Sequence, residues 1–194
     1  TQAEITTYLT NVLPAGTPIA TITNLVTNAV NNPNVFSQIL ENAIQFNNKG
    51  VLCLSQEPDN ILLWSHYADN HYGVCLKFDM LEDPDFFSIP LHVIYDTTYP
   101  IYNHMTQPGS IVDMMIKTKY KTWEYENEIR ILKQTNGLFQ FDKTSLTEII
   151  FGCNTPQTEI DRIKQLATDN NYNHLTYQKT EKQIGTYGLS LIPA

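Results

Sequence analysis

Residues 51–78, VLCLSQEPDNILLWSHYADNHYGVCLKF, constrain the fold more than any other stretch. Val51–Ser55 reads as a short apolar strand and runs into a turn at Pro58. Ile61, Trp64 and Ala68 then fall at helical spacing, with Leu63 and Tyr67 as a second stripe beside them. Asp59 or Asn60 is placed to cap that helix. Asn70-His71-Tyr72-Gly73 breaks the pattern, and Val74–Phe78 begins a second strand. A helix apolar on so much of its surface is expected to be buried. Ser65 and His66 then need polar partners. His66 is either a hydrogen-bonded core histidine or a cleft residue that titrates near neutral pH. His71 either caps the helix or lines the same cleft.

The first fifty residues read as helical and Asn-rich. Ile5, Leu9, Val12 and Leu13 form one stripe, stopped by Pro14 and Gly16. Ile19, Ile22, Leu25, Val26 and Ala29 form a second, and Phe36, Ile39, Leu40 and Ala43 a third that opens at Pro33. Nothing in this part carries chemistry; packing helices or a partner surface are the readings open to it. The expected division is an N-terminal helical segment, 1–50, and an α+β core, 51–194, in one compact domain overall. At 194 residues the chain is long enough to bury a core.

Beyond Phe78 the loop Asp79–Ser88 is acidic and expected to be solvated. Leu91–Tyr95 reads as a strand. Ser110 and Asp113 resemble a capping box that opens a helix through Ile116. Lys117, Lys119 and Lys121 follow, three of the twelve basic residues within five positions. They suit an anionic ligand, or equally a helix C-terminus whose dipole they complement. In Trp123-Glu124-Tyr125-Glu126-Asn127-Glu128-Ile129-Arg130-Ile131-Leu132 the end reads as strand. If that strand reaches back to Glu126, then Glu126, Glu128 and Arg130 share one face, with the carboxylates roughly 6–7 Å apart. If it is helical, Glu126 and Arg130 form an i, i+4 pair. Leu146–Phe151 is a predicted strand. Thr155 and Pro156 are predicted to open a helix with Ile160, Ile163 and Leu166 facing inward. Leu175–Gln178 and Tyr187–Leu191 are two further predicted strands. Helices first, then strands broken by short helices, favour an α+β fold with mostly antiparallel or mixed sheet.

Composition narrows function mainly by exclusion. The net charge of −8 disfavours broad binding to nucleic acid or anionic membranes by bulk charge. No run approaches the ~20 apolar residues of a spanning helix. Cys53, Cys75 and Cys153 are odd in number and widely spaced, as expected in a reducing, cytoplasmic setting. The chain begins at Thr1, as a trimmed chain or the remainder of a longer protein would. The five His and three Cys show no metal-ligand spacing, so no metal site is expected. Nucleophile-elbow, Walker and Rossmann patterns are absent. The polar and aromatic residues Trp64, Ser65, His66, Tyr67, His71, Lys121, Trp123, Tyr125, Glu126, Glu128 and Arg130 are the candidate site, with the first and second clusters expected to converge.

Two motifs carry a resemblance. Cys-Leu-Ser, then Leu-Trp-Ser-His-Tyr-Ala, then Asn-His-Tyr-Gly-Val-Cys-Leu-Lys-Phe, resembles the core of the bacterial domain-of-unknown-function family 2971. The family's later element is matched by Lys121, Trp123, Tyr125, Glu126, Glu128 and Arg130, and its strand ending Phe-Gly by Phe151-Gly152. The resemblance covers about residues 50–190. The Tyr-Arg strand and Phe-Asn-Asp-Pro element with which members usually begin are not found in residues 1–50. The layout is in turn similar to ADP-ribosyltransferase-like folds. That analogy implies Glu128 stabilising an oxocarbenium-like ribose and Glu126 assisting the acceptor; His66, from the first cluster, completes the expected catalytic set. It makes NAD a possible substrate with no bound cofactor, and a role in defence or conflict the setting. The other reading is a non-catalytic binding or protein-interaction module, with residues 1–50 as partner surface.

Overall fold

The computed structural model describes residues 1–34, 48–103, 105–106 and 111–194. Among them the fold is α+β, as the order of elements predicts. The chain divides into two compact units.

The first unit takes in Thr1–Val51, Val93–Lys121 and Lys133–Asn136. Its helices α1 (Gln2–Val12) and α2 (Ile19–Asn31) match the first two apolar stripes. Thr1 and Glu4 form a reciprocal capping box on α1. Of the second stripe only Val26 is buried. The third stripe and the Ser110–Asp113 cap lie outside the described residues or side chains. β4 (Ile94–Asp96) runs parallel to β5 (Thr118–Tyr120), which directly follows α4 (Ile111–Lys117). Lys117, Lys119 and Lys121 therefore sit at the end of a helix, within a strand and at the start of a 3₁₀ turn, not along one helix terminus.

The second unit takes in Leu52–His92, Thr122–Leu132 and Gly137–Ala194. Its four-stranded sheet has the order β2–β7–β8–β9, formed by Val74–Phe78, Leu146–Phe151, Thr176–Lys182 and Leu189–Pro193. The β2–β7 and β8–β9 pairs are antiparallel, while β7–β8 is parallel. The parallel pair follows from the crossover helix α5 (Gln157–Asp169) between them. Alternation along β7 sends Ile149 and Phe151 to one face, against Ile160 and Ala167 of α5. It sends Ile150 to the other, against Trp64 and Leu189. A second sheet has the order β1–β6–β3, from Gly50–Ser55, Glu128–Lys133 and Pro90–His92. Ile129 and Ile131 pack there with Phe87, and Phe78 touches both this core and that of α5.

Several local expectations are corrected. Leu166 is exposed on α5, and Ala167 takes the inward position. Thr155 does not cap α5; its hydroxyl donates to the carbonyls of Tyr72 and Gly73 at 3.0 and 3.2 Å. The predicted strand Leu91–Tyr95 is two short strands, β3 and β4, that join different sheets. In the acidic loop, Asp79 and Asp83 are engaged as well as solvated. Asp79 caps a 3₁₀ turn, and Asp83 accepts from the backbone N–H of Phe86 and of Asp142. α3 (Ile61–Tyr67) buries only Trp64, so the expectation of a wholly buried helix fails.

Candidate functional site

Asn60, one of the two possible caps, is the one used. Its side-chain oxygen accepts from the N–H groups of Leu62 and Leu63 at 3.0 and 3.4 Å. Helical spacing then divides the side chains of α3. Ile61, Trp64 and Ala68 pack toward the sheet. Trp64 lies in that core, its indole N–H donating to the Pro58 carbonyl at 2.7 Å, and not on the site face. His66 is two residues on, about 200° around the helix, and is exposed with Tyr67. The core-histidine reading of His66 is thereby excluded.

The second cluster begins in a 3₁₀ turn, Lys121–Glu126, and not in a strand. Asn127 has φ +42°, and β6 starts only at Glu128. Neither conditional reading of this stretch holds in full. Glu126 is on the turn, while Glu128 and Arg130 alone share a strand face. The reversal at Asn127 suits Asn, which tolerates the left-handed region better than most residues.

The segment after β1 holds this turn in place. Ser55 Oγ donates to the Glu126 carbonyl at 2.6 Å, and Asn60 Nδ2 to the Tyr125 carbonyl at 2.9 Å. Gln56 N–H donates to the Asn127 carbonyl at 3.3 Å, and Asn127 Nδ2 to Glu57 Oε1 at 2.9 Å. Ser55, Glu57 and Asn127 are positioning residues that the sequence reading missed, and Asn60 serves both as helix cap and as clasp. The available signal was the Asn between two Glu just before a predicted strand.

The two clusters meet. Tyr67 Oη donates to Glu126 Oε1 at 2.9 Å. The His66 ring is 6.2 Å from Trp123, edge to face, and Trp123 is 6.0 Å from Tyr125. Glu126 and Glu128 are both buried. Arg130 grips Glu128 through Nε at 2.8 Å and Nη2 at 3.0 Å. That fork raises the Arg130 pKa above its ordinary value, with a smaller contribution from Cys53 on β1. Ser65 and His71 form a separate pair, Oγ to Nε2 at 3.0 Å. Lys121 is exposed and belongs to the first unit.

Residues 63–131 match the model of the family described as Protein of unknown function (DUF2971). Over this stretch the chain is similar to that family. The match runs from Leu63 in α3 to Ile131 in β6, so both converging clusters lie within the matched stretch. No curated protein and no solved structure matches the chain. Among the described residues no group of three or more His, Cys, Asp or Glu is arranged to hold a metal ion. No helix among them is long and apolar enough to cross a membrane.

Proposed function

We propose that the face made by α3 and the Trp123–Arg130 segment binds a nucleotide-type ligand and serves as a recognition site. The observation that carries this reading is the aromatic series His66–Trp123–Tyr125 set beside the Tyr67–Glu126 hydrogen bond. A base stacked on an aromatic side chain gains about 1–3 kcal/mol. A buried carboxylate held at the edge of such a surface is a natural acceptor for a ribose hydroxyl.

Fluorescence tests this reading directly. Trp64 is buried and Trp123 is 37 % exposed, so a stacked base quenches Trp123 selectively. Titration with NAD, ADP-ribose or ATP is expected to give saturable quenching that Trp123→Phe abolishes. Unchanged fluorescence with all three would sink the proposal.

A second reading, an NAD glycohydrolase or ADP-ribosyltransferase, is favoured by the Glu-x-Glu spacing with Glu128 paired to a cation that favours its ionised form. The same pair argues for recognition over catalysis. Arg130 already neutralises the charge that a developing oxocarbenium ion would need. Nicotinamide release from NAD, lowered about 10²–10³-fold by Glu128→Gln, is the outcome expected of an enzyme. Ligand binding without nicotinamide release supports the recognition module.

A further inference from the structure

The turn that ends α3 holds an imidazole that the site does not use. Asp69, Asn70 and His71 have φ of +45°, +51° and +69°, three successive non-glycine residues in the left-handed region. Such a run is costly and persists only where its surroundings over-determine it. Here they do. His71 N–H donates to the Trp64 carbonyl at 3.2 Å, and Gly73 N–H to the Ala68 carbonyl at 2.8 Å, which closes the helix end. The loop after β7 grips the other side. Asn154 N–H donates to the His71 carbonyl at 3.1 Å, Asn154 Nδ2 to the Asn70 carbonyl at 3.0 Å, and Gly152 N–H to the Gly73 carbonyl at 3.0 Å. A Cβ at residue 152 would meet the His71 carbonyl oxygen, so only glycine permits this approach.

Within this clasp the two ring nitrogens of His71 differ. The Ser65 hydroxyl donates to the Ile61 carbonyl at 2.9 Å, which leaves its oxygen to accept from Nε2–H. Nδ1 is buried and has no hydrogen-bond partner. As a bare acceptor it is tolerated. A proton placed on it creates a buried donor with no acceptor. The groups around the ring do not offset this. The helix contributes the Ser65 hydroxyl, which faces the other ring nitrogen, the loop after β7 contributes its bonds to the turn's backbone, and β8 contributes the cation Lys182. Burial first, and Lys182 second, hold the His71 pKa below the ordinary histidine value.

We infer that the His71 turn is a proton-sensitive latch: it closes only around the neutral imidazole, and protonation opens the 69–73 turn and frees the C-terminal end of α3. That end carries His66 and Tyr67, so an open latch also disorders the ligand face, a consequence that rests on the function proposed above. The latch itself does not.

Its sign follows from linkage. The unfolded chain binds a proton on His71 near pH 6.5, and the closed turn does not. Stability is therefore present above that pH and is lost as the pH falls through the window below it. Urea unfolding of the ligand-free protein between pH 7.5 and 5.5 tests this, with His71→Gln as the non-titrating partner. At pH 5.5 the wild-type unfolding constant is expected to be roughly tenfold higher relative to His71→Gln than at pH 7.5. Parallel pH profiles for the two proteins would overturn the latch. Should His71→Gln not fold, the NMR titration of His71 in the wild type decides. A ring that titrates below about pH 6.5, with α3 amides shifting in step, supports the latch, and one that titrates at or above it overturns the latch.

Discussion

In β7 the buried side chains are the apolar Leu146, Ile149, Ile150 and Phe151 with one carboxylate, Glu148, while across the Asn127 turn the buried polar pair is Glu126 and Glu128. Phe151 is 0 % exposed and Glu126 4 %, so depth does not separate the two regions. What separates them is the force that keeps each residue inside. The strand is held by apolar contact on both faces, which is non-directional and spread over many neighbours. The turn is held by directed bonds, each to one named atom: Ser55, Asn60 and Tyr67 on Glu126 and its neighbours, and Arg130 on Glu128. A lost methylene in the first region is shared out among neighbours. A lost donor in the second leaves a polar group stranded.

The largest expected effect tests the first half of that contrast. Phe151→Ala removes a ring packed against Ile160 and stacked 6.3 Å from Tyr177. A cost of about 3–5 kcal/mol in urea unfolding is expected, as for other buried aromatics. A cost under 1 kcal/mol would mean that the α5 core is not what holds the sheet.

Next comes the ion pair. Arg130→Ala leaves Glu128 buried without its bidentate partner, for an expected loss of about 3 kcal/mol, the low end for breaking a buried pair because Arg130 is partly exposed. Replacing both residues, as Glu128→Gln with Arg130→Met, is expected to recover most of that loss, since the stranded charge is then gone. If the double variant is no better than the single one, Arg130 acts by packing and the contrast between the regions weakens.

The same contrast explains what could be read from the chain. The strand Leu146–Phe151, stopped at Gly152, is readable at its observed bounds, because apolar burial on two faces is written in residue type. The first two helices, α3 and the β2 strand are readable for the same reason. Leu166 misled because helical spacing offers two adjacent stripes, and here the sheet selects the one through Ile160 and Ala167. The candidate site was readable in its residue types, and both clusters do meet. Its geometry was not, because it depends on a left-handed Asn127 and on hydrogen bonds from Ser55 and Asn60 across about 70 residues of sequence. Propensity has no memory of partners so distant. The run of three left-handed residues at 69–71 was invisible for the same reason, being fixed by a loop some 80 positions on.

The smallest effects sharpen the comparison inside the turn itself. Tyr67→Phe keeps the ring against His66 and removes only the hydroxyl that Glu126 accepts. Because the acceptor is a buried carboxylate, a loss of about 1–2 kcal/mol is expected, together with weaker binding of any ligand that orders Glu126. Glu124→Gln removes a carboxylate from the same 3₁₀ turn, two residues earlier, but from an exposed side chain. The backbone bond from Asn127 N–H to the Glu124 carbonyl, 3.2 Å long, survives the change. An exposed charge is screened by water and salt, so stability is expected to stay within about 0.5 kcal/mol of wild type. The two variants, measured side by side by urea unfolding, ask whether directed bonding at Glu126 or general negative charge stabilises the turn. Equal losses at both positions would show that charge alone matters and that the Tyr67 bond joining α3 to the turn contributes nothing of its own.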